Sequence, residues 1–169
     1  MMKSVIKLIT AAFLSLAPFS ANAQSNVAHI NVQQLISEMP EVIAAQNELA
    51  KLEKDYTTQI DNAFREFQTK AQSYSADAAN QTDVTNQARQ KELESMQTNL
   101  QEFRDSAAQE LQKKQMDLMT PLLEKARDAI TKVGKEQGFN YVIDSSPNGG
   151  IILADGKDLL ADVKKELGF

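Results

Sequence analysis

The chain has 169 residues, with 23 acidic against 18 basic side chains, one histidine and no cysteine. The missing cysteine and single histidine exclude disulfides, thiol chemistry and an ordinary zinc site. The acidic balance gives no basic footprint for nucleic acid. Neither a glycine-rich phosphate loop nor a nucleophile elbow occurs, so no enzyme activity and no cofactor are expected.

Residues 1–23 have a short basic start (Lys3, Lys7), an apolar run and Ala21-Asn22-Ala23 at the end. That order is a secretory signal peptide, cleaved after Ala23. The apolar run is too short for a membrane anchor, and Pro18 lies inside it. Without Lys3 and Lys7, 16 basic residues face 23 acidic ones and the net charge is −7.

Residues 26–32 place Val27, Ala28, Ile30 and Val32 in a strand-like run. Its histidine, His29, reads as a partly buried structural residue. Asn31 is placed to cap a brief helix through Leu35 and Ile36, and Pro40 to open a longer one.

Two matched amphipathic helices follow. Val42, Ala45, Leu49, Leu52, Tyr56, Ile60, Phe64, Phe67, Ala71 and Tyr74 mark one stripe over residues 41–74. Leu93, Met96, Leu100, Phe103, Ala107, Leu111, Leu118, Leu122, Ala126, Ile130 and Val133 mark the other. Steps of three and four dominate, the period of a helix face. The stretch between is small and polar, so the chain reverses near residues 75–84. Each arm spans roughly 50 Å at the helical rise. Charges of both signs alternate along the arms, as on solvated helix faces. The carboxylate pairs Glu92/Glu94 and Asp155/Asp158 read as surface groups or caps, and Asn80-Gln81-Thr82 as a bare loop. Pro121 is expected to bend the returning arm near Met119 and Thr120, a hinge where it rejoins the body.

Gly138 closes that helix, and residues 139–144 and 151–154 read as two strands of a hairpin around Asn148-Gly149. Asp158 can cap a final helix carrying Leu159, Leu160, Val163 and Leu167, closed by Gly168. The expected fold is α+β and mostly helical. Residues 24–40 and 122–169 form a small β-containing body, and residues 41–121 form a long antiparallel coiled-coil hairpin.

The body has 17 residues from the first segment and 48 from the second, enough for only a marginal core. A three-stranded sheet also leaves two open edges. Self-association is the physical remedy, with Ile30, Val32, Tyr141, Ile143, Ile151 and Leu153 as the expected oligomerisation-strand residues.

The order of signal peptide, strand, helical hairpin, paired strands and terminal helix resembles the OmpH/Skp family of periplasmic chaperones. The closest echoes are residues 27–36, 138–144, 150–154 and 158–165. The resemblance implies a homotrimer, a small β-barrel body made by three subunits and three helical tentacles around a cavity. It also implies an ATP-independent holdase for unfolded outer-membrane β-barrel proteins in the periplasm. Well-known members are strongly basic, whereas this chain is acidic, so membrane or lipopolysaccharide contact is not carried over. Leu160 also stands where the family often has Thr after Asp-aliphatic.

Phe64, Phe67, Tyr74, Met96, Phe103, Met116 and Met119 are the candidate client-contacting residues, because methionine and aromatic surfaces adapt to irregular partners. Each also has a simple packing role available in the hairpin seam. The rival reading is a periplasmic coiled-coil spacer or adaptor. A membrane-surface role would need a basic amphipathic helix, which neither the arms nor residues 159–167 supply.

Overall fold

Asn31 ends the first strand and begins the first helix. Its side chain accepts the Gln34 N–H at 2.9 Å, satisfying an otherwise unpaired donor of the first helical turn. The computed structural model describes residues 26–147 and 149–169, so the expected signal peptide, residues 1–23, lies outside the described residues. Strand β1 is Val27–Ile30 and helix α1 is Val32–Glu38. Val32, expected in a strand, is therefore helical: the Asn31 cap stops the extended chain one residue earlier.

The extended Met39 and Pro40 at the first helical turn start α2, Pro40–Asp77. A 3-10 turn at Ala78–Asn80 reverses the chain, and Thr82 caps α3, Asp83–Glu136, by accepting the Thr85 N–H at 3.2 Å. The two helices form the expected antiparallel hairpin. Tyr56 and Phe103 meet across it edge to face, with centroids 6.1 Å apart. Lys125–Glu41 at 2.6 Å, Lys114–Glu48 at 2.8 Å and Lys70–Glu92 at 2.6 Å step along the same register. These pairs are solvent-facing, so each contributes little stability and mainly fixes alignment. Helix α3 continues through Pro121 into the body as one element.

Gln137 and Gly138 terminate α3, with Gly138 at φ 76°, a left-handed conformation suited to glycine. Strand β2 is Tyr141–Asp144, β3 is Lys157–Asp158, and α4 is Leu160–Leu167. The sheet order is β2-β1-β3, and β1 pairs with both neighbours in parallel. The expected hairpin is therefore corrected. Residues 151–154, including Ile151 and Leu153, form no strand, and the third strand lies further on.

The reason is local. Gly149 N–H donates to Ser146 O at 2.7 Å, and a Cβ on Gly149 would lie 2.6 Å from Asp144 O. The turn thus closes against the end of β2 and does not lead the chain back along it. The other edge of β1 is taken by Lys157–Asp158.

One core joins these pieces: Ala28, Ile30, Leu35, Met39, Val42, Ala126, Ala129, Val133, Leu159 and Val163. It includes the first turns of α2 and the last turns of α3, so both arms are rooted in the body. Asp158, the expected capping residue, accepts the Leu160 N–H on its Oδ1 at 2.9 Å from one position before the N-cap itself, which the fully buried Leu159 occupies. Gly168 closes α4 at φ 89°.

Candidate interaction surfaces

The arms bury one stripe each, and the surplus is the first surface. Along α2 the half-buried seam positions pass from Ile60 to Ala63 and Phe67, which leaves Phe64 turned outward at 39% exposure. Phe64 and Phe67 line a cleft of about 440 Å³ with Leu100 and Arg104 of α3. Met116 is 55% exposed. The other candidates are engaged within the chain. Phe103 packs on Tyr56, Met96 is half-buried along the seam, and Met119 packs against the body core.

Tyr74 belongs to a polar network near the tip. Its hydroxyl donates to Glu92 at 2.6 Å, and the Arg89 guanidinium lies 4.7 Å from its ring centroid. Arg89 also donates to Asp77 at 3.0 Å. The hydrogen bond from Lys70, with that from Tyr74, lowers the Glu92 pKa. The one from Arg89, helped by Asn80, does the same for Asp77. The network holds the last turns of both arms together where the apolar stripe thins out.

The second surface belongs to the body. In β1 the alternation puts Ala28 and Ile30 inward and leaves Val27 and His29 on the opposite face. Their register partners, Tyr141 and Ile143, are 62% and 38% exposed. Parallel sheets are ordinarily covered on both faces, and here one is open. Ile151, Ile152 and Leu153 are also uncovered apolar side chains, the last two almost fully exposed. A separate cleft of about 490 Å³ runs between Ile36, Leu123, Ile130 and Phe139.

Below that face a buried polar knot fixes the end of β2. Ser146 Oγ donates to Asp144 at 2.6 Å and accepts the Gln33 N–H at 3.1 Å. Burial opposes charge on Asp144 most strongly, yet hydrogen bonds from the Ser146 hydroxyl and N–H and from Val32 N–H hold its pKa below the ordinary value. His29 Nδ1 and Ser145 Oγ are 3.1 Å apart, hydrogen-bonded in either tautomer.

Sequence reasoning missed Ile43, Val84 and Leu123 as exposed apolar positions. Ile43 and Leu123 each follow a stripe residue, Val42 and Leu122, and that adjacency was the available signal. Among the described residues, no group of three or more His, Cys, Asp or Glu side chains gathers to hold a metal ion. No described helix is long and apolar enough to cross a membrane.

Taken together, these features define a class: an α+β protein whose small, half-open body carries one long antiparallel helical arm. A family model described as "Outer membrane protein (OmpH-like)" matches residues 26–167, and the chain belongs to that OmpH-like family. It is 29% identical over 160 residues to the chaperone protein Skp of Yersinia enterocolitica, covering 91% of this chain and 93% of the relative. It is 24% identical over 164 residues to that of Photorhabdus luminescens, with 95% and 98% covered. Against that of Pectobacterium atrosepticum the identity is 23% over 151 residues, with 89% and 90% covered.

Proposed function

We propose that this protein is a periplasmic holdase chaperone. Several copies join through their bodies, and their arms enclose unfolded outer-membrane β-barrel proteins without ATP. The observation that carries the reading is the outward-turned Phe64 beside the Phe67 cleft, on a long arm rooted in a body with an uncovered sheet face. An unfolded client exposes apolar side chains at irregular spacing, and scattered aromatic and methionine contacts suit it better than one shaped pocket would. Interleaved charges along the arms keep them soluble while they hold such a client.

The body supports the assembly half of the reading. Its segments are short, its sheet is open on one face and two edges, and its 151–153 segment is apolar and uncovered. A homotrimer is the arrangement that family membership favours. Export by the expected signal peptide would bring the chain to its clients. The acidic balance gives no support to contact with anionic lipid or lipopolysaccharide.

The test is light scattering during dilution of a denatured outer-membrane β-barrel protein. Stoichiometric amounts of residues 24–169 should suppress its aggregation. A spacer or adaptor would leave the scattering unchanged, and that result would overturn the proposal.

A further inference from the structure

We propose that His29 makes self-association of this chain sensitive to pH, with assembly favoured at neutral pH and loosened under mild acid. The inference rests on the copy-to-copy association proposed above and names a residue that regulates it.

His29 lies on the central strand of the sheet, on its open face, with Val27 on the same strand and Tyr141 and Ile143 on the next. The occupant of that face is a second copy. The chain carries an uncovered apolar segment of its own at Ile151, Ile152 and Leu153, so copies can cover for one another what neither covers alone. Two chemically matched apolar surfaces on one small body are what self-association uses.

Assembly on this face removes water from around the imidazole. The neutral ring carries no charge to desolvate and keeps Ser145 Oγ on its Nδ1 at 3.1 Å. The charged ring does not tolerate that loss, because desolvation disfavours the imidazolium and each added copy brings another positive charge to the same interface.

The surrounding ionisable groups leave this sign intact. On β2 the face carries the Tyr141 phenol and no carboxylate, since Asp144 shares the side of its register partner Ile30, away from His29. On β3, Lys157 is paired with Asp162 at 3.1 Å. Asp158 is the register partner of His29 and the one carboxylate of these strands on its face. Asp155 lies in the approach to β3. Asp158, with its Oδ1 held by the Leu160 N–H, faces His29 in the separated and the assembled chain alike; the water lost on assembly makes the difference, so protonation favours separation. Histidine changes charge between about pH 5 and 8, above the range of ordinary carboxylates, which separates its effect from theirs.

The experiment is sedimentation equilibrium of residues 24–169 at about pH 7.5 and about pH 5.0, for the native sequence, His29→Leu and His29→Gln. The expected result is a dissociation constant about tenfold higher at the lower pH for the native chain. Both variants should lack that shift, and His29→Gln keeps a polar partner for Ser145 should His29→Leu fold poorly. An assembly equally tight at both pH values overturns the role of His29. So does a shift that survives in the variants. A single chain at both pH values overturns the association reading itself, and the pH proposal with it.

Discussion

Gly134 of α3 and Val142 of β2 meet so closely that a Cβ on the glycine would stand 2.8 Å from Val142 Cγ2. Glycine is ordinarily a poor choice within a helix, costing about 1 kcal/mol relative to alanine. Here it lets the longest helix lie directly against an edge strand, joining arm to body.

Gly134→Ala is therefore expected to destabilise the protein despite its better helix propensity. Overpacking against a stiff β-branched side chain costs about 1–3 kcal/mol, which outweighs the propensity gain. Combining it with Val142→Ala should make the two changes strongly non-additive, with Gly134→Ala close to neutral in that background. Thermal unfolding of the four chains of that cycle is the check.

The arm surface divides into seam and free positions, and substitution should separate them. Phe103→Ala removes the packing on Tyr56 and is expected to lower stability by about 1–3 kcal/mol for this half-buried ring. Phe64→Ala should change stability by less than about 0.5 kcal/mol, since its side chain faces out of the seam. Its effect should appear in suppression of client aggregation, weakened further when Met116→Ala is added. Paired melting and light-scattering measurements read both.

The tip network predicts a local dependence on pH. Glu92 and Asp77 have lowered pKa values in the folded chain, so the stabilisation they give is fully present above their ordinary values. It is lost as pH falls through the lowered ones. Protection of the amides in residues 74–92, taken relative to their intrinsic exchange at each pH, should fall below about pH 4, and Glu92→Gln should flatten that response. Protection independent of pH down to about pH 2 would show that the network contributes nothing.

Pro121 lacks the N–H that an interior helix position donates, yet α3 continues through it. We propose that it is the hinge of the returning arm. Pro121→Ala should stabilise the helix by about 1–3 kcal/mol and narrow the distribution of arm spread. Small-angle scattering of the native and variant chains measures that spread. An unchanged distribution would remove Pro121 from this role.

The hairpin was legible because a repeated step of three and four needs no tertiary information. Nearly every stripe position from Val42 to Val133 is buried or half-buried, and the exception, Phe64, arises where the seam shifts to Ala63. Caps were legible for the same local reason: Asn31, Pro40, Gly138 and Gly168 each act where their chemistry predicts. The sheet was not. Pairing β1 with both β2 and β3 in parallel joins segments separated by the whole hairpin, and an apolar run after an Asn-Gly turn signal made residues 151–154 look like the third strand. Lys157 and Asp158, polar and exposed, carried no strand signal. The open sheet face was equally invisible, since it depends on which side of β1 the core takes.

The native mass of the species formed when residues 24–169 meet an unfolded outer-membrane β-barrel protein tests the central claim most directly. The account predicts a discrete complex of several copies of this chain around one client. A lone copy bound to the client, or no complex at all, would contradict it.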